Sequence, residues 1–283
     1  MTRIILSTES VADLPKDLLE KYPVQIIPMH IIMDGKDYLE SELCVEDVFD
    51  YYRRTKKIPS TAATNVQAYY DFFSKIRRDF PDSIILHIGY TSNASASFQS
   101  ALIAAEDFED LFLIDSLNVT GGLAAIVLYA VALLEEDPAI EPVHLIEKIK
   151  SVIPKTRLAF IPNSLDFLRA GGRVTNMAFL GGALLKIKPC IELKEGRLVP
   201  TRKYRGNMRN VAEKLMRDYL NKYDIDRKQL YLIYSTGLDE RIKRTMEKRA
   251  KERGFENITW IQAGATISTH AGPGCFGIAG IEW

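Results

Sequence analysis

Short apolar runs alternate with longer amphipathic stretches through the first half of the chain. The runs at 4–6, 24–32, 84–88 and 111–114 are bounded by polar or glycine residues, which predicts buried strands. Between them, residues 15–21, 45–54, 66–78 and 94–107 carry helical spacing. Glu46 and Asp47 in a first turn suit the helix dipole, and Thr64 or Asn65 is a natural N-cap. Strand and helix in alternation predict a parallel sheet covered by helices on both faces. In such sheets ligands gather at the carboxyl ends of the strands.

Past Ile153-Pro154-Lys155 the pattern changes. Apolar runs at 158–161, 189–193, 230–234, 258–261 and 276–281 mix with long charged helices at about 207–222 and 239–253. This predicts a second α/β domain with a mixed sheet and antiparallel pairing around 191–200. The expected division is residues 1–154 and 155–283. The longest uninterrupted apolar run, 123–134, is too short to span a bilayer and predicts a helix buried on most sides.

Composition excludes several classes. Lys plus Arg equals Asp plus Glu at 37 each, so nothing points to nucleic acid or an acidic membrane surface. The three cysteines, Cys44, Cys190 and Cys275, lack CxxC spacing and suggest free thiols rather than a disulfide framework or zinc site. The opening Met-Thr-Arg-Ile-Ile-Leu-Ser enters a strand directly, which gives a cytoplasmic expectation. No GxxxxGK[ST], HExxH or GxSxG pattern is present.

Four polar stretches remain. Ser7-Thr8-Glu9-Ser10 follows the first strand, where Ser10 or Asp13 reads as a helix cap, and Ser7 and Glu9 read equally as cap-like or ligand-facing. The loop 59–65 holds more hydroxyls than a cap needs, leaving Thr61 without a local job. Residues 91–97 place Thr91, Ser92, Ser95 and Ser97 with Asn93 at a helix start, a setting that suits an anion. Gly171-Gly172 reads as a helix stop, with Arg173 either solvated or directed at a partner or phosphate. Of the four histidines, His30 and His87 alternate within apolar strands and read as core. His270 reads as a strand-end loop residue, beside Gly272-Pro273-Gly274.

Taken in order, these stretches resemble the DegV family, bacterial fatty-acid-binding proteins that serve as acyl carriers for a fatty-acid kinase. Ser7-Thr8-Glu9-Ser10-Val11-Ala12-Asp13-Leu14-Pro15 is similar to the family's T-D-S-T-A-D-L-P, with Glu9 in place of Asp. Ser60-Thr61-Ala62-Ala63 stands where T-S-Q-P-S is usual. Residues 91–101 are similar to S-S-x-L-S-G-T-Y-Q-S-A, with Ala96 replacing a loop glycine. Residues 165–174 and 184–189 follow the middle motifs, and Thr269-His270-Ala271-Gly272-Pro273-Gly274 the closing one.

The resemblance implies two domains around an acyl tunnel with the lipid carboxylate at its mouth. It implies Thr61 as carboxylate-binding residue, Ser92 or Ser95 as its serine partner, and His270 near the head group. Arg173 is implied in the encounter with the kinase. The expected ligand is a long-chain fatty acid, with no cofactor, no metal and a monomer by default. Two other classes compete. An acyl-transfer enzyme would use Ser95, His270 and Asp13 or Asp115. A lipid-responsive regulator would share the carrier's pocket.

Overall fold

The structure, a computed structural model, describes residues 3–175 and 187–283. In the first part the chain runs through β1 (Ile4–Glu9), α1 (Lys16–Lys21), β2 (Gln25–Ile27), β3 (His30–Met33) and β4 (Lys36–Leu39). It continues through α2 (Val45–Thr55), β5 (Ser60–Ala62), α3 (Val66–Asp79), β6 (Ile84–Gly89) and α4 (Ser97–Ala105). β7 (Leu111–Asp115), α5 (Thr120–Glu136) and α6 (Pro142–Val152) complete it.

The parallel sheet has the order β2-β1-β6-β7. Alternation along its strands sends Ile5, Ile85 and Leu111 toward Tyr69, Phe73 and Ala101 of α3 and α4. Leu6, Leu86, Ile88 and Ile114 face the opposite way, onto α5. Helices therefore cover both faces, as the strand–helix alternation predicts.

The second part begins with β8 (Thr156–Ile161) and α7 (Leu165–Gly171). After them come β9 (Ile187–Lys194), β10 (Arg197–Arg205), α8 (Met208–Lys222) and β11 (Gln229–Tyr234). α9 (Glu240–Glu252), β12 (Asn257–Gln262), α10 (Ala265–Ala271) and β13 (Phe276–Ile281) close the chain. Its six-stranded sheet has the order β10-β9-β8-β13-β11-β12 and is antiparallel except between β11 and β12. The hairpin of β9 and β10 pairs Ile191 with Pro200, inside the expected stretch.

α5 joins the two sheets. Leu123, Ile126 and Val127 are fully buried, and the helix packs against β1 and β6 on one side and β8, β11 and β13 on the other. Burial of each such side chain stabilises by about 1.5–3 kcal/mol, so this helix needs no polar face over most of its length.

Several local expectations need correction. The run 24–32 is two strands rather than one, because Pro28 offers no N–H to a ladder. β2 stays in the parallel sheet, while β3 turns away to pair antiparallel with β4 and β5 in a separate three-stranded sheet. The loop 59–65 contains β5, which carries Thr61 opposite Ile31. Residues 265–271 are a helix although Thr266, Ile267 and Thr269 are β-branched and locally favour a strand. The hydroxyls of Ser268 and Thr269 bond back to the carbonyls of Ala263 and Ala265, and side chains from the first part hold the helix start.

Ser10 and Asp13 do not cap α1, whose N-cap is Pro15. Asn65, by contrast, caps α3 by accepting the Ala68 N–H at 2.9 Å. His87 is buried as expected, whereas His30 sits at a sheet rim and pairs with Asp37 at 3.0 Å.

Candidate functional site and apolar cleft

β5 and α10 approach each other where the two parts of the chain meet. There Thr61 Oγ1 lies 2.9 Å from His270 Nε2. The other ring nitrogen, Nδ1, is buried without a hydrogen-bond partner among the described residues. It faces the end of α7, where a Cβ on Gly171 would stand 2.2 Å from it. Only a glycine lets the backbone come this close to the ring. Gly172 then takes a left-handed conformation at φ +65° and ends α7, so the helix stop lies where the Gly-Gly pair predicts it.

Arg173 follows at once and donates to the Gly171 carbonyl at 2.7 Å. Burial, assisted by the positive charge of Arg173, pushes the His270 pKa down to about 4. The imidazole is therefore neutral around pH 7. Nδ1 has no acceptor among the described residues, and a buried N–H left unpaired costs more than an unpaired lone pair, which favours the proton on Nε2. The ring then donates to Thr61, and the Thr61 hydroxyl keeps its own proton for a ligand.

From this pair a narrow apolar cleft runs between the two sheets with a cavity volume of about 50 Å³, so a long ligand enters only as its walls part. His270, Arg173, Tyr90 and Thr120 supply its few polar atoms, and Phe160, Leu168, Leu198, Ile233 and Ile267 much of its apolar wall. Thr120 brings the first turn of α5 to the wall, while Leu123, Ile126 and Val127 further along are core. Burial raises the Tyr90 pKa to about 12, so its phenol also stays neutral. Cys275 lines the cleft as well, its thiol pushed up to about 12 by burial.

Ser95 stands on the loop between β6 and α4 and is not among the residues that line the cleft. Its hydroxyl accepts the Ser97 N–H at 3.1 Å and pairs with the Ser97 hydroxyl at 2.8 Å. Ser97 Oγ in turn accepts the Thr64 N–H at 3.2 Å, which ties the loop to the chain just after β5. Ser92 is exposed, and its backbone N–H points to the Asp115 carboxylate at 3.3 Å. Ala96 has φ −77° and is exposed, so its position demands no glycine. The tip of the β9–β10 hairpin fixes the loop from the far side. The Gly196 carbonyl accepts the Thr91 hydroxyl, and the Glu195 carbonyl accepts the Asn93 side-chain amide, each at 3.0 Å.

Glu9 and Ser7 lie behind this loop, not in the cleft lining. Glu9 is fully buried and accepts from the Tyr69 hydroxyl at 2.7 Å and the Tyr90 N–H at 2.8 Å. Burial alone would raise its pKa, but His87 and these donors outweigh it and hold the carboxylate below its ordinary value. Ser7 bonds His87 Nδ1 at 3.0 Å. The extra methylene of Glu9 thus serves to fix Tyr90, a cleft residue that no periodicity in the sequence singles out. Residues 184–186 of the expected middle motif lie outside the described residues.

Comparison with known proteins agrees with this architecture. A protein from Caldanaerobacter subterraneus described as DegV domain-containing is 29% identical across 98% of both chains. A fatty acid-binding protein of Thermotoga maritima is 26% identical across 99% of this chain and 98% of its own. The solved structure of a DegV family protein from Thermus thermophilus, described by its fatty acid binding, superposes with a TM-score of 0.89 over the whole of both chains at 24% identity. The family model described as "Uncharacterised protein, DegV family" matches residues 3–282. With the match running from the first described strand to the last, this chain belongs to the DegV family.

Proposed function

We propose that this chain binds a long-chain fatty acid, with the tail in the apolar cleft and the carboxylate at Thr61 and His270. The observation that carries the reading is the pairing of a neutral hydroxyl–imidazole couple with an otherwise apolar cleft. Burying a tail of ~14 methylenes at ~0.8 kcal/mol each supplies up to ~11 kcal/mol before association costs. The polar groups then only orient the head group and satisfy its desolvated oxygens. The Thr61 hydroxyl, oriented by His270, does this without the grip of a buried ion pair, which suits a protein that must hand its ligand on. Ser95, with Ser92 as the alternative, is assigned as the second hydroxyl.

In this reading the protein is a carrier. A separate kinase phosphorylates the exposed carboxylate, and Arg173, exposed at the cleft mouth, takes part in that encounter. An acyl-transfer enzyme is disfavoured on two counts. Among the described residues no carboxylate is hydrogen-bonded to His270, and a base with a pKa of about 4 is a poor match for proton abstraction near pH 7. Native mass spectrometry of the purified protein, followed by extraction, tests the proposal. A stoichiometric fatty acid supports it; an empty protein that also refuses added fatty acid sinks it.

A further inference from the structure

Two carboxylates from the first part of the chain reach the start of α10. Asp13 Oδ1 accepts the Gly264 N–H at 2.9 Å, and Oδ2 accepts the Thr120 hydroxyl at 2.6 Å. Glu40 Oε1 accepts the Thr266 N–H at 2.7 Å, and Oε2 accepts the Thr266 hydroxyl at 2.8 Å and that of Ser10. Both acids are buried. A Cβ on Gly264 would lie 2.7 Å from Glu40 Oε1 and 2.8 Å from Asp13 Oδ1, so the two side chains converge on one backbone position. Asp13 holds its place with φ at +53°, a strained value for a residue with a side chain.

Two ionised carboxylates in such a site repel each other, and a single proton removes the repulsion. Burial and the neighbouring Glu40 charge hold the Asp13 carboxyl well above the usual carboxylate range. α10 has seven residues, too few to absorb a shift at its first turn before it reaches His270 in its last. Thr120, the partner of Asp13, and Ile267, His270 and Ala271 of α10 all line the cleft.

We propose that Asp13 and Glu40, converging on the start of α10, are positioning residues for the Thr61–His270 pair, so that bound fatty acid leaves faster once the Asp13 carboxyl loses its proton. The proposal rests on the fatty-acid reading of the cleft. The groups facing Asp13 are Glu40, the Thr120 hydroxyl and the Gly264 amide, with the Tyr90 phenol in its field; Arg173 acts on Tyr90 and His270. His270 titrates at about 4, and Tyr90 and Cys275 at about 12. A response between those limits therefore belongs to the Asp13–Glu40 pair rather than to His270, Tyr90 or Cys275.

The experiment follows palmitate dissociation and the imidazole nitrogen NMR signals of His270 across that pH window. In the wild type, dissociation speeds up with rising pH by at most about tenfold per pH unit, the one-proton limit, and the His270 signals move with the same midpoint. Asp13→Asn, which mimics the protonated acid, flattens both curves. Glu40→Gln removes the charge that raises Asp13 and moves the midpoint to lower pH. The wild-type slope retained in Asp13→Asn, or a pH-independent wild type, overturns the proposal. Should Asp13→Asn fail to fold, an unshifted midpoint in Glu40→Gln does the same. A protein that takes up no palmitate, yet shows the His270 response and its loss in Asp13→Asn, upholds the positioning role and ends the fatty-acid reading.

Discussion

Thr61 and His270 are 209 positions apart in the chain, yet Oγ1 and Nε2 meet at 2.9 Å. Each comes from an element that is short in itself, a three-residue strand and a seven-residue helix. Neither is stable alone, so the contact exists only because β3, α7 and two buried carboxylates hold both partners in place.

Thr61→Val keeps the shape of the side chain and removes its hydroxyl. Fatty-acid affinity is expected to fall about tenfold, the worth of one net hydrogen bond, and stability by about 1–3 kcal/mol as the buried His270 N–H loses its acceptor. Titration calorimetry checks it. Unaltered affinity would mean that the carboxylate lies elsewhere.

A methyl at Gly171 collides with the imidazole, the Cβ landing 2.2 Å from Nδ1. Gly171→Ala is expected to displace the ring at a cost of about 1–3 kcal/mol and to lower fatty-acid retention together with stability. Loss of the His270–Thr61 coupling in NMR spectra identifies the cause.

Removing the cation at Arg173 raises the His270 pKa above its present value of about 4, because that charge is one of two causes holding it down. The proposed carrier role adds that Arg173→Ala retains fatty acid but loses phosphorylation by the kinase. NMR titration of the ring reads the first effect and a coupled kinase assay the second. Loss of lipid from Arg173→Ala would place the guanidinium in carboxylate binding instead.

Acid should weaken the fold through His270. Its pKa drops on folding from 6.5 to about 4, so the unfolded chain binds the extra proton first. The neutral ring's contribution is complete above the unfolded value and is lost as pH falls toward the folded one. It amounts to about 3 kcal/mol at most. Urea unfolding of His270→Gln should lack this slope; an identical slope in both proteins would show that another group carries it.

Much of the fold was legible in the chain because its signals are local. The alternation of short apolar runs with amphipathic stretches reflects burial on two faces of a parallel sheet, and the Asn65 cap and the Gly172 stop act within one turn of their helices. The motifs also brought Thr61, Ser95, Arg173 and His270 forward together. The sequence misled where local preference and tertiary demand disagree. Thr266, Ile267 and Thr269 favour a strand, but Asp13 and Glu40 satisfy the donors at the start of α10 and make a helix of them.

The sequence by itself determined the class of the fold, the order of its elements and the residue types available to the site, since these follow from periodicity and capping within short windows. Tertiary structure alone decided that Thr61 touches His270, that Nδ1 abuts Gly171 and that Tyr90 reaches the cleft. It also decided that two acids from one half of the chain hold a helix of the other. Those relations join residues far apart in the chain, and only the packing of the two sheets about α5 sets their distances.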